Sequence, residues 1–280
     1  MRILVTGATG RVGSRFVPRL LKRGDAVRVL VRQPEQAQGL KQRGAELAQG
    51  DLLQPETLDR AIADVDAIIH LAAFFRSTDA AQIRAITLDG TLALAQAAIK
   101  AGVERFVFAS TNLVYGPGRG RPAREDDEPQ ATQPYPASKV AAERALVDLH
   151  QSHGLDLRII RLAFVYGEGD AHLKEGLRWF REWNPAKRIQ MVHHADVGQA
   201  LILAVDAPTR NQRIYNVADD QPISSTDILR FLGESLPQAA DDRPLDDAWE
   251  GIVDTTRIRA ELGYRPIYPS FFASKEAGTL

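Results

Sequence analysis

The chain has 280 residues, 44% hydrophobic and 25% charged, an ordinary globular balance that suggests roughly two units at about 150 residues per domain. Lys plus Arg (35) and Asp plus Glu (36) leave a net charge of −1, which argues against a sequence-blind binder of nucleic acid. The absence of cysteine excludes disulfides, thiolate nucleophiles and Cys-ligated metals.

Ile3 to Thr6 reads as a short buried strand ended by glycines. A helix with apolar residues at Phe16, Val17, Leu20 and Leu21 follows, and Gly24 stands where a C-cap glycine belongs. Further strands are expected at 27–31, 47–50, 66–71, 105–109 and 157–162, separated by helical patterns at 34–44, 55–63, 79–101 and 136–153. Apolar strands alternating with helices predict an α/β fold, a doubly wound parallel sheet of Rossmann type. Beyond about residue 165 the rhythm loosens. The spacing predicts a helix carrying Trp179 and Trp183 that stops before Pro185, a helix at 197–205, a strand at 213–217 and a helix at 226–236. We therefore expect a dinucleotide-binding unit over 1–165 and a smaller substrate lobe over 166–280, interleaved with the first. No apolar run approaches the roughly 18 residues of a membrane span. The apolar start at Ile3–Val5 is too short for a signal-peptide core, so no membrane partner and a cytoplasmic location are expected.

Thr6-Gly7-Ala8-Thr9-Gly10-Arg11-Val12-Gly13 places three glycines at equal spacing between a strand and a helix. The first permits a tight turn, the second lets backbone approach a pyrophosphate, and the third lets helix and strand pack closely. The helix N-terminus adds amide donors and partial positive charge. At the end of the second strand, where an acidic residue would bind the NAD 2′-hydroxyl, stands Arg32. An arginine there suits a 2′-phosphate, so NADP is favoured and NAD remains possible. Arg11 offers a second phosphate contact. Asp51, with Leu52 beside it, follows the third strand, where a carboxylate reaches an adenine amino group or simply makes a turn.

Tyr135-Pro136-Ala137-Ser138-Lys139 sets a phenol and an ammonium four residues apart, on one helix face. A nearby lysine cation favours the phenolate, which acid–base work near neutrality requires. Ser110-Thr111 follows the fifth strand, where hydroxyls point into the cofactor crevice. His193-His194-Ala195-Asp196 lacks metal-ligand spacing, so no metal is expected. His70 reads as a packed histidine, and Phe74-Phe75-Arg76 as a candidate substrate wall.

These motifs together resemble the extended short-chain dehydrogenase/reductases, the group that includes sugar-nucleotide epimerases and dehydratases. The resemblance is carried by the glycine loop, Gly50-Asp51-Leu52, His70-Leu71-Ala72-Ala73, and Ser110-Thr111-Asn112-Leu113-Val114-Tyr115-Gly116. Tyr135 with Lys139, Arg161-Leu162-Ala163-Phe164-Val165-Tyr166-Gly167 and Tyr215-Asn216-Val217 continue it, as does Leu262-Gly263-Tyr264. It implies Tyr135 as acid/base, Lys139 as its electrostatic partner and ribose ligand, and Thr111 as the Ser/Thr member. It also implies that Leu71, Ala72 and Ala73 run along the cofactor, and that two copies dimerise through the helices at 79–101 and 136–153. Two departures stand out. Thr87 occupies the place of an asparagine tied to a helix kink and a proton relay. Thr111 is followed by Asn112 and Leu113, where dehydratases of the family carry an acidic pair.

The expected function is hydride transfer between a nicotinamide cofactor and a carbonyl or secondary alcohol of a small molecule. The alternatives are a sugar-nucleotide epimerase with tightly held NAD and a non-catalytic dinucleotide sensor.

Overall fold

The computed structural model describes all residues except 76, 209–211, 237–241 and 246. Arg76, one of the residues expected in the substrate wall, therefore lies outside the described residues. Eleven strands are described: β1 Arg2–Thr6, β2 Ala26–Val31, β3 Glu46–Gln49, β4 Ala67–His70, β5 Arg105–Thr111, β6 Leu157–Leu162, β7 Phe164–Tyr166, β8 Arg188–Ile189, β9 Met191–His193, β10 Arg213–Val217 and β11 Ile223–Ser224. Helices α1 Gly13–Arg23, α2 Gln38–Gln42, α3 Leu58–Ile62, α4 Ala80–Arg84, α5 Gly90–Ala101 and α6 Pro134–His153 alternate with the first six strands. The later helices are α7 His172–Glu175, α8 Leu177–Phe180, α9 His194–Asp206, α10 Ser225–Phe231, α11 Thr256–Leu262 and α12 Phe271–Glu276.

Seven strands form one sheet in the order β10-β6-β5-β4-β1-β2-β3. Every neighbouring pair in it is parallel. Alternate residues of a strand face opposite sides, and β1 shows the consequence. Ile3 and Val5 join a core with Phe16, Val17 and Leu20 of α1 and Ala200, Leu201 and Ala204 of α9. Leu4 joins the opposite core, with Leu94, Ala95 and Ala98 of α5 and Ala142 and Leu146 of α6. Both faces are covered, which is why the strands are apolar throughout. β10 lies beyond residue 166 yet closes the sheet beside β6, so the later part of the chain contributes to the first sheet. A third core of Tyr166, Leu173, Phe180, Met191, Ile228 and Phe271 holds the lobe.

The expected helices at 34–44 and 55–63 each open with a 3₁₀ turn, Pro34–Ala37 and Pro55–Thr57, because proline fixes the first turn. The expected helix at 79–101 contains a π turn at Ala85–Asp89. The kink is thus present with Thr87 in the place of asparagine. The helix expected around Trp179 and Trp183 breaks into α7 and α8 at Gly176, where an added Cβ would lie 2.8 Å from the Phe180 ring. α10 stops at Phe231, ahead of the expected 236, and left-handed Gly233 follows.

Beneath the carboxyl end of the sheet, Arg161 of β6 donates from Nη2 to Glu143 Oε2 of α6 at 2.6 Å. Both side chains are under 5% exposed, at 2% and 4%. Ser110 Oγ donates to the other carboxylate oxygen, and Arg161 Nη1 donates to the Tyr115 hydroxyl at 2.9 Å. Removing one partner of such a buried pair strands the other charge. Glu143→Leu is expected to lower unfolding stability by about 3–5 kcal/mol, read by denaturant titration; a loss within error of zero would refute this role.

Candidate active site

The strand order reverses between β4 and β1, which opens a crevice at their carboxyl ends. Gly7, at the end of β1, has φ +66°, and a Cβ there would meet the Ala72 amide nitrogen at 2.7 Å. A Cβ on Gly13 would lie 2.2 Å from the Gly7 carbonyl oxygen. Both glycines are therefore dictated by backbone contact. Gly10 N–H donates to the Gly7 carbonyl at 3.0 Å, and Ser14 is the next to donate, to Gly10 at 2.9 Å. The amides of Arg11, Val12 and Gly13 thus lead α1, with Thr9 and Gly10 exposed at the turn. This cradle fits a dinucleotide pyrophosphate.

Leu71, Ala72 and Ala73 leave β4 half-buried against that loop. Thr6 Oγ1 lies 2.5 Å from His70 Nδ1, and His70 Nε2 lies 2.9 Å from Thr91 Oγ1. Burial lowers the His70 pKa to about 3, with Lys139 adding to the effect. His70 is thus a neutral packing histidine that ties β1 to the helix beyond. Thr87 Oγ1 accepts from the Phe74 amide at 3.3 Å, so the kinked helix also holds the loop that presents Phe75.

Arg32 is exposed at the end of β2. The Arg11 side chain is placed otherwise than expected. It donates to Asp170 at 2.5 Å and to both Glu175 oxygens at 2.7 and 2.8 Å. Two lobe carboxylates thus engage it, while its backbone stays in the phosphate loop. Asp51 accepts from the Leu53 amide at 3.0 Å and makes a turn. Leu52 is buried, in the core that also holds α5, and its Cβ would lie 2.9 Å from a Cβ on Gly90; it supports the crevice from behind.

Thr111 is the last residue of β5, buried, and its Oγ1 accepts from the Leu113 amide at 3.2 Å. Tyr135 and Lys139 lie in the first turns of α6, which begins at Pro134, a residue suited to a helix start. Lys139 is buried and donates from Nζ to the Ala109 carbonyl at 2.6 Å, over the Phe108 ring at 4.2 Å. Burial pulls its pKa down to about 7, with Glu143 opposing. Burial also pushes the Tyr135 phenol above its ordinary value. Desolvation thus outweighs the lowering expected from Lys139, which donates to Ala109.

Sequence reasoning missed the rings from the lobe. Phe75 packs on Tyr135 with ring centres 4.8 Å apart, and His172 stacks on Phe164 at 4.0 Å. His172 carries no local motif; only the fold brings it here. His193 and His194 bond to the Thr279 carbonyl and the Asp170 carboxylate. Among the described residues no three His, Cys, Asp or Glu side chains are arranged to hold a metal ion. No described helix is long and apolar enough to cross a membrane.

A glycine cradle at the strand-order reversal of a doubly wound parallel sheet defines a dinucleotide-binding Rossmann fold. Residues 3–218 match the family model described as the NAD dependent epimerase/dehydratase family. The chain belongs to this family of enzymes, within the extended short-chain dehydrogenase/reductases. It is 32% identical over 247 residues to the 4-hydroxy-2-methyl-3-oxo-4-farnesyl-3,4-dihydroquinoline-1-oxide ketoreductase of Stigmatella aurantiaca, covering 84% of this chain and 73% of that one. It is 29% identical to the dTDP-glucose 4,6-dehydratase of Streptomyces griseus, over 94% of this chain and 89% of the relative. Among solved structures, the dTDP-glucose 4,6-dehydratase of Streptomyces venezuelae with NAD bound superposes with a TM-score of 0.83. That pair is 28% identical, covering 100% of this chain and 95% of the other.

The depressed Lys139 pKa makes a prediction. Between about pH 7 and its unfolded value near 10.5 the unfolded chain binds the extra proton, so this group makes stability rise with pH. Lys139→Met is expected to lose that component. Unfolding free energies measured across pH 7–10 should show a shallower rise in the variant, and equal slopes would contradict the assignment.

Proposed function

We propose that this enzyme transfers hydride between NADP and a carbonyl or secondary alcohol of a small molecule, with Tyr135 as acid/base. The observation that carries the reading is the bond from Lys139 of α6 to Ala109 of β5, the strand that Thr111 ends, with Tyr135 one helical turn before Lys139. A bound nicotinamide supplies the hydride. Tyr135 gives its phenolic proton to the substrate oxygen. The Lys139 ammonium stabilises the phenolate left behind, and the Thr111 hydroxyl orients the oxygen. Gly7, Gly10, Gly13 and the leading amides of α1 hold the pyrophosphate, and Arg32 meets a 2′-phosphate.

Elimination chemistry is disfavoured. Asn112 donates to the Gly251 carbonyl at 2.9 Å, and exposed Leu113 follows it; neither is an acid or a base. Sugar-nucleotide epimerisation is the second reading, supported by the UDP-glucose 4-epimerase of Vibrio cholerae, 27% identical over 84% of this chain. The lobe cations that would meet a diphosphate are engaged elsewhere: Lys187 pairs with Glu250 at 3.0 Å, Arg181 with Glu234, and Arg178 stacks on Trp179. A dinucleotide sensor would need no Tyr–Lys–Thr set.

Tyr135→Phe is expected to keep dinucleotide affinity and lose about 10²–10⁴-fold in turnover. Arg32→Glu is expected to reverse a preference for NADPH over NADH. Calorimetric titration and cofactor absorbance read both; an unchanged turnover, or NADPH affinity indifferent to Arg32, overturns the corresponding role.

The assembly we propose is a homodimer through α5 and α6, where Ala93, Ala97, Ala141 and Ala145 are half-buried within one chain. Small residues there let helices approach closely. Sedimentation should give a dimer for the wild type and a monomer for Ala97→Glu; a monomeric wild type refutes it.

A further inference from the structure

Five rings stand in an unbroken row at the site. Tyr135 packs on Phe75 at 4.8 Å and 57°, and Phe75 meets the His172 edge at 6.1 Å and 88°. His172 lies flat on Phe164 at 4.0 Å and 14°, and Phe164 leans on buried Phe180 at 5.9 Å. The row joins three separate parts of the chain: the loop after β4, the start of α6, and the lobe segment 164–180. Phe75 is 40% exposed, and Tyr135, Phe164 and His172 are half-buried, so the row is a wall with an open side. His172 Nδ1 lies 2.8 Å from the Val165 carbonyl. A carbonyl only accepts, so the ring donates there and is fixed in plane.

Aromatic rings attract one another by offset stacking and edge contacts beyond the area they bury. A wall built of such faces and edges favours a flat conjugated surface over a hydrated sugar. The proton donor is the first ring of the row. A flat substrate stacked on Phe75 therefore brings its own ring carbonyl toward the Tyr135 hydroxyl. Arg178, Arg181 and Lys187 of the lobe are held by Trp179, Glu234 and Glu250.

We propose that the substrate is a planar aromatic or ring-conjugated ketone, held against Phe75, His172 and Phe164, and that Phe75 is its specificity-determining residue. This rests on the carbonyl-reductase reading above. Reduction of such a ketone adds hydride to the carbonyl carbon and the Tyr135 proton to its oxygen. The C=O double bond becomes C–O, NADPH is oxidised to NADP, and the proton is restored to Tyr135 from solvent.

The test separates binding from chemistry. Affinity for 1-tetralone, a bicyclic aryl ketone, and for cyclohexanone is measured by calorimetry with saturating NADP, in wild type, Phe75→Leu and Tyr135→Phe. Turnover of both ketones is then measured with NADPH. Wild type should bind tetralone at least about tenfold more tightly than cyclohexanone. Phe75→Leu should weaken tetralone about three- to tenfold, the size of a lost aromatic pair, and leave cyclohexanone and NADP affinities unchanged. Equal affinity for the two ketones, no saturable tetralone binding, or an equal loss for both in Phe75→Leu overturns the proposal. Selective tetralone binding without reduction of either ketone leaves the aromatic wall standing and overturns the reductase reading alone.

Discussion

One buried ion pair sits under everything the site does. Arg161 and Glu143 are sealed beneath the carboxyl end of the sheet, where each charge alone would be costly. Their partnership joins β6 to α6, and Ser110 Oγ on the same carboxylate joins β5. Ser110 precedes Thr111 in the chain, and Glu143 lies one helical turn beyond Lys139. The two elements that carry Thr111, Tyr135 and Lys139 are therefore fixed to β6 by one desolvated contact. The Glu143 carboxylate also opposes the desolvation of Lys139. Tyr115 and Asn216 extend the network to β10 at 2.7 Å, so the last strand of the sheet is tied into the same framework.

A second constraint works at the rim. Arg11, Arg15 and Arg19 recur every four residues from the phosphate loop into α1, a spacing that lines one helix face. Arg15 donates to the Glu168 carbonyl at 3.0 Å, Arg19 pairs with the Glu168 carboxylate, and Arg11 takes Asp170 and Glu175. Residues 167–169 all have positive φ, and Glu168 is the non-glycine among them at 55°. That conformation is costly for a side-chain-bearing residue, and the arginine contacts offset it. Asp170 also accepts from the His172 amide at 2.9 Å. The seam that clamps the lobe thereby places the ring that faces Phe75.

Much of this was legible residue by residue. The glycines announced the cradle because only backbone contact demands them at 7 and 13. The four-residue spacing of Tyr135 and Lys139 gave a shared helix face without any coordinates. The strand-end hydroxyl was found because β5 is an uninterrupted apolar run that stops there. The failures have physical causes too. Arg11 was read as a phosphate contact because sequence shows a charge but not the carboxylates 159 and 164 residues away that engage it. The raised Tyr135 phenol was not foreseen, because local spacing does not report desolvation. His172 and Phe164 were not joined to Phe75, since no periodicity links them.

The sequence by itself determined the parallel sheet, the glycine turn, the helical Tyr–Lys pair and the arginine that ends the second strand. Each depends on local spacing or on the chemistry of a single residue. Tertiary structure alone decided which charges are buried, which cations are already engaged and which rings converge beside Tyr135. Those outcomes depend on distances between segments a hundred or more residues apart, set only when the sheet and the lobe close on one another.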